Sequence, residues 1–172
     1  MSCLVHALKI RVHTQKTREQ LMKSPQEIAA AIQANIKANV DEHGLSIVHV
    51  MSDGENPSFA YTVGFTALGH PELIVFGLPP KYSQGMFNQY SKETTEGTRV
   101  PEVGLLTKVF NLPIYVVDAK PELSSEYTIQ AEAFYKKPIK CRQVVLCDRN
   151  GKFAWDEDFD NHFTQPLLGA PN

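Results

Sequence analysis

FAYTVGFTALGHPELIVFGLPP, residues 59–80, is the densest run of strand and turn signals in the chain. Side chains alternate faces along a strand, so residues 59–66 sort into two sets. Phe59, Tyr61, Val63 and Phe65 make one face large and aromatic; Ala60, Thr62, Gly64 and Thr66 make the other small. A row of small residues lets another element approach the sheet closely. A packed helix and a ligand lying on the sheet both fit, and a packed helix is what most sheet faces serve. A second strand, residues 73–78, follows the loop ALGHPE. Within that loop His70 and Glu72 stand two apart with Pro71 stiffening their spacing. Such a pair can act as base and orienter, or as two metal ligands. The plainer reading is a solvated turn punctuated by Gly69 and Pro71.

Helix signals flank this region. Ser24 suits an N-cap, Pro25 the first helical position and Glu27 the reciprocal place of a capping box. Ile28, Ile32, Ile36 and Val40 recur every four residues, which predicts a helix from Pro25 to about Glu42 with one buried stripe, stopped by Gly44. Residues 45–51 read as a strand ending at Ser52-Asp53-Gly54. A second helix is predicted from Pro79-Pro80, with Tyr82, Met86 and Tyr90 inward, Phe87 adjoining, and Gly97 after it. Residues 98–112 give no clear pattern; 114–118, IYVVD, is a strand. SSEYTIQAEAFYKK reads as a helix capped by Ser124 or Ser125, with Tyr127, Ala131 and Phe134 inward and Pro138 as its stop. A strand over 140–147 turns at Asn150-Gly151 into a returning strand, KFAW, as a hairpin.

Short turns between strands imply antiparallel pairing, with helices covering one face. The fold class is therefore α+β: a mainly antiparallel twisted sheet of about five or six strands with three helices. Residues 1–23 form a basic strand or arm, with five Lys or Arg against one Glu, and 24–172 a single α+β domain. Residues 148–172 are acidic, with five Asp or Glu against two basic residues.

A chain of 172 residues with net charge −2 has no basic field to hold nucleic acid or an anionic membrane. No stretch reaches the roughly 20 apolar residues of a spanning helix, and the N-terminus does not read as a signal peptide. These features predict a cytoplasmic protein. Cys141 and Cys147 lie six residues apart in one strand, about 20 Å at 3.3 Å per residue, whereas a disulfide needs roughly 4.4–6.8 Å between Cα atoms. Reduced thiols follow.

Other motifs fail on their spacing. His70-Pro71-Glu72 matches half of a zinc deaminase signature, but the P-C-x-x-C half is missing. Asp156, Asp158 and Asp160 imitate the start of a calcium loop, yet Asn161 and Leu167 stand where its Gly and Glu belong. No phosphate-binding glycine loop and no nucleophile elbow is present. The sequence predicts no metal and no cofactor.

In combination, several of these residues resemble the bacterial domain-of-unknown-function family 4262, over about residues 36–168. The resemblance rests on Gly44, on Phe59, Tyr61, Thr62 and Gly64, on Gly69-His70-Pro71-Glu72, and on Gly77-Leu78. It continues through Gln143, Asp148, Gly151, Phe153 and Trp155 to Gln165-Pro166. Leu45, Phe65 and Cys147 depart from the family's usual Trp, Leu and Pro, so contacts made through that Trp are not carried over. The resemblance implies a common structure and a shared site, and leaves the chemistry open.

Three functions follow as expectations. The first is a binding module for an unknown small molecule or protein, with Tyr61, Thr62, His70, Glu72, Gln143, Asp148, Trp155 and Gln165 as ligand-binding candidates. The second is a hydrolase with His70 as base and Glu72 as orienter. The third is an interaction protein, because the strand rhythm also resembles suppressor-of-fused-like domains, many of which act in toxin immunity.

Overall fold

Ser24 and Glu27 cap the first helix reciprocally. The Ser24 N–H donates to Glu27 Oε2 at 2.7 Å, and the Glu27 N–H donates to Ser24 Oγ at 3.2 Å. The helix, α1, runs Pro25–His43, and Gly44 ends it at φ 73° with its N–H on Val40 O. In this computed structural model, residues 24–97, 102–106, 112–160 and 165–171 are described. The strand or arm expected over 1–23 lies outside them. The chain divides into two compact units, at residues 35 and 36. Within the second unit Ile36 is buried and Val40 packs beside it. In the first, Ile28 and Ile32 are 46% and 37% exposed, so the buried stripe is half as long as its spacing predicts. A four-residue repeat marks the apolar side of a helix, not how much of it another element reaches.

The second unit is α+β. Six strands, β1 Ser46–Val50, β2 Phe59–Val63, β3 Glu72–Phe76, β4 Gly104–Leu106, β5 Ile114–Asp118 and β6 Cys141–Leu146, form one sheet in the order β1-β2-β3-β6-β5-β4. Every pairing is antiparallel except β3 with β6, which are parallel with Glu72 opposite Cys141 and Val75 opposite Val144. Three helices lie between strands: α2 Pro80–Thr95, the short α3 Pro121–Ser124, and α4 Ile129–Tyr135. Strand β4 falls where the sequence shows no pattern; three residues are too few for alternation to register.

Helices cover both faces of the sheet, not one. Ala60, Leu73, Val75, Ile114 and Val144 pack with Met86, Phe87 and Tyr90 of α2. The small face of β2 therefore receives a helix. Tyr61, Val63, Ile74, Phe76 and Cys141 face the other way, toward Ile36, Ala131, Ile139 and Leu168. Tyr82, expected inward, is 58% exposed because the buried stripe of α2 runs through Ser83, Met86, Phe87, Tyr90 and Thr94 and leaves it to one side.

Two further departures have local causes. Pro121 starts its own short helix, which uses up Ser124, so α4 begins at Ile129; Tyr127, Ala131 and Phe134 still pack inward. The Asn150-Gly151 turn forms, with the Asp148 N–H on Lys152 O at 2.7 Å, but among the described residues no strand follows it. Both edges of β6 are already taken, by β3 and β5.

Strand β2 also stops earlier than its alternation implies. Gly64 stands at φ 151°, and a Cβ there would lie 2.3 Å from Gly44 O and 3.1 Å from Leu45 Cα. The turn that follows, a 3-10 helix at Phe65–Leu68, carries Phe65 into the cluster beneath α2, away from Tyr61 and Val63. Gly64→Ala meets both a backbone oxygen and an unfavourable φ. It is expected to destabilise the protein by about 3 kcal/mol or more in urea unfolding. A loss under about 0.5 kcal/mol would show that the approach of residues 44–45 is not a constraint.

Candidate functional site

Glu72 opens β3 with its side chain fully buried. Its carboxylate accepts five hydrogen bonds: from Thr62 Oγ1 at 2.6 Å, the N–H groups of Gly64, Phe65 and Thr66 at 3.1, 3.3 and 2.8 Å, and Tyr135 Oη at 3.0 Å. The three N–H groups are those that the start of the 3-10 turn leaves without partners in the turn itself. Five donors on two oxygens suit the acceptor-only carboxylate. Thr62 Oγ1 in turn accepts the Leu73 N–H at 2.9 Å, one residue beyond the last paired position of the β2–β3 ladder, Tyr61 opposite Ile74.

The same turn fixes His70. Gly69 takes the left-handed conformation, φ 81°, and the His70 N–H donates to Phe65 O at 3.0 Å. The imidazole is half-buried and makes no hydrogen bond among the described residues. None of the five donors to Glu72 is His70, so the expected pairing of base and orienter is not formed.

Tyr61 Oη accepts the Gln130 N–H at 3.3 Å, joining β2 to α4. Burial, partly offset by that N–H, pushes the Tyr61 phenol up to about 12. Burial and the charge of Glu72 likewise raise Tyr135 and Cys141 above their usual ranges.

The late motif residues hold loops. Gln143, fully buried, donates from Nε2 to Pro166 O at 2.6 Å and accepts the Leu168 N–H on Oε1 at 2.7 Å. Gln165 does the converse, with Oε1 on the Leu146 N–H at 3.2 Å and Nε2 on Leu146 O at 2.7 Å. Two side-chain amides thus bind segment 165–168 to β6. Asp148 accepts the N–H groups of Asn150, Lys152 and Asp160 at 2.8, 2.9 and 3.0 Å. Burial alone would raise its carboxyl pKa, but these N–H groups and Arg149 outweigh it and lower the value. Trp155 stacks on Phe153 at 5.1 Å and meets Tyr115 edge-on at 5.2 Å. Cys141 and Cys147 are free thiols.

The structure therefore brings Thr62 and Glu72 together, ties Tyr61 to α4 instead, and separately joins Gln143 with the segment that carries Gln165. It does not gather the eight candidates into one cavity. A cleft of about 770 Å³ lies along the edge strand β1 and the flank of α2, and none of the eight lines it. Leu45 and Ile47 supply apolar wall. Asn39 and His43 come from the end of α1, and His49 from β1. Gln84, Asn88, Ser91, Lys92 and Thr95 come from one side of α2, and Glu96 caps its end. Burial lowers the His49 pKa from its ordinary value, which favours the neutral ring. Their signal in the sequence is the spacing 84, 88, 91, 92, 95, which by itself reads as an ordinary solvated helix face. A smaller, apolar cavity of about 290 Å³ is lined by Leu78, Tyr82, Pro113 and Cys147 among others.

The fold and these buried clusters define a small α+β domain held together by its motif residues. Residues 39–160 match the model of a domain of unknown function (DUF4262), and the chain belongs to that family. No curated protein and no solved structure matches it. Among the described residues no helix is long and apolar enough to cross a membrane.

Two tests address the buried cluster. Glu72→Gln sets an amide donor against donors and is expected to cost about 3 kcal/mol or more, while Thr62→Ser keeps the hydroxyl and costs about 1 kcal/mol. Equal losses in denaturant titrations would contradict the hydrogen-bond account. The second is alkaline. The folded protein holds the Tyr61 proton more tightly than the unfolded chain does. That contribution is complete below pH 10.0 and is lost as pH rises toward about 12. Stability is expected to fall across this window, and less steeply in Tyr61→Phe; identical slopes would refute the assignment.

Proposed function

We propose that this domain is a binding module that takes a small polar ligand in the cleft between β1 and α2. The observation that carries the reading is the cleft itself. Its volume of about 770 Å³ lies within the range of small-molecule sites, roughly 300–1,000 Å³. Polar side chains from three elements line it beside Leu45 and Ile47, so a ligand there would be held chiefly by hydrogen bonds. The Tyr-Thr and Gly-His-Pro-Glu segments act beneath it: the Gly64 turn packs against Gly44 and Leu45, and Leu45 is a lining residue. Hydrolysis through His70 and Glu72 gains no support, because the Glu72 oxygens are occupied by other donors.

A thermal-shift screen of polar metabolites, followed by amide-shift mapping of each hit, tests this. Hits are expected to perturb residues 45–49 and 84–96. Asn88→Ala or His49→Gln should weaken them about tenfold, the effect of losing roughly one well-made hydrogen bond, with little change in Tm. Hits that map elsewhere and ignore both substitutions would overturn the reading, as would a screen without hits.

A further inference from the structure

The chemistry of the cleft narrows the ligand class. We infer that its ligand is an uncharged polyhydroxylated small molecule, such as a neutral sugar or a cyclic polyol; this rests on the cleft being the binding site. The first observation is the balance of donors and acceptors. Gln84 and Asn88 each offer an amide that donates and accepts, Ser91 a hydroxyl that does both, and neutral His49 one nitrogen of each kind. A hydroxyl group also donates and accepts, so it can satisfy such side chains in both directions. A carboxylate or phosphate only accepts and leaves half of that capacity unused.

The second observation is charge. Lys92 and Glu96 stand one helical turn apart in the lining and offset each other. One end of the cleft lies at the C-terminal ends of two helices, with His43 the last residue of α1 and Thr95 the last of α2. Helix C-termini carry negative partial charge, which works against an anion. Helix N-termini and paired arginines, the usual means of holding phosphate, are not among the lining residues. The third observation is the apolar patch. Ile47, half-buried, and the small exposed part of Leu45 offer a surface on which the C–H face of a sugar ring can rest while its hydroxyls turn to the helix.

The test is a binding panel read by isothermal titration and amide shifts on the full chain. Its members are glucose, galactose, maltose and myo-inositol, with glucose 6-phosphate, inositol phosphate and inorganic phosphate as charged counterparts. At least one neutral compound is expected to bind about tenfold more tightly than its phosphorylated counterpart and to shift residues 84–96. Asn88→Ala should weaken it about tenfold, and Lys92→Gln by less than about threefold. Tighter binding of the phosphorylated compounds, or loss of binding in Lys92→Gln alone, overturns the inference. If no neutral compound binds while other screen hits shift the cleft, the ligand class fails and the cleft stands as a site. If the sugars bind but shift residues outside the cleft and ignore Asn88→Ala, both fail.

Discussion

A carboxylate buried without a cationic side chain among its donors organises this fold. Taking such a group out of water costs several kcal/mol, and only a full set of hydrogen bonds offsets that. Glu72 has them from three places: the hydroxyl of β2, three consecutive N–H groups of the 3-10 turn, and the phenol of Tyr135 at the end of α4. Each donor fixes an element that the others depend on. The turn directs Phe65 under α2, and Tyr135 holds α4 against the aromatic face. On its far side β3 pairs with β6, the one parallel junction in the sheet.

This arrangement changes what the family's motif means. Phe-x-Tyr-Thr-x-Gly and Gly-His-Pro-Glu look like chemistry because they place a hydroxyl, an imidazole and a carboxylate close together. In the structure the hydroxyl and the carboxylate satisfy each other and the backbone. Gly64 is there because Gly44 and Leu45 run against it, and Gly69 because the turn ends left-handed. The late motif behaves the same way. Gln143 stands in for a backbone partner of Pro166 and Leu168, and Gln165 for one of Leu146; nearby, Gly169 has no room for a side chain beside Asp118 O, 2.1 Å from where its Cβ would be. Polar residues that recur in a motif can mark how a sheet is closed as well as where it binds.

Much of the fold was legible because it follows from local rules. The capping box of α1, the strands around 46–50, 59–63, 72–76, 114–118 and 141–146, and the packed helix on the small face of β2 all follow from periodicity and end signals. What was not legible is set by distant partners. The absence of a returning strand after Gly151 depends on β5 and β3 occupying both edges of β6. The exposure of Tyr82 depends on which side of α2 meets the sheet, the one that carries Ser83, Met86, Phe87 and Tyr90. The cleft is the clearest case: its polar residues are indistinguishable from a solvated helix face until β1 and the end of α1 are placed beside them. His70 remains outside both accounts, half-buried on a turn whose backbone it helps to close.

The lengths of chain that these contacts enclose differ greatly. Thr62 and Glu72 are 10 residues apart, and the N–H groups that Glu72 accepts lie closer still. The parallel junction joins residue 72 to residue 141. Closing a loop costs entropy that grows with its length, so the β2–β3 hairpin and its capped turn form with the least loss of chain freedom. All but one of the donors to Glu72 are already present when the chain has been made only as far as residue 72. The group that looked like the reactive centre of the sequence is thus a local seed, complete but for Tyr135 before the other half of the sheet has been synthesised.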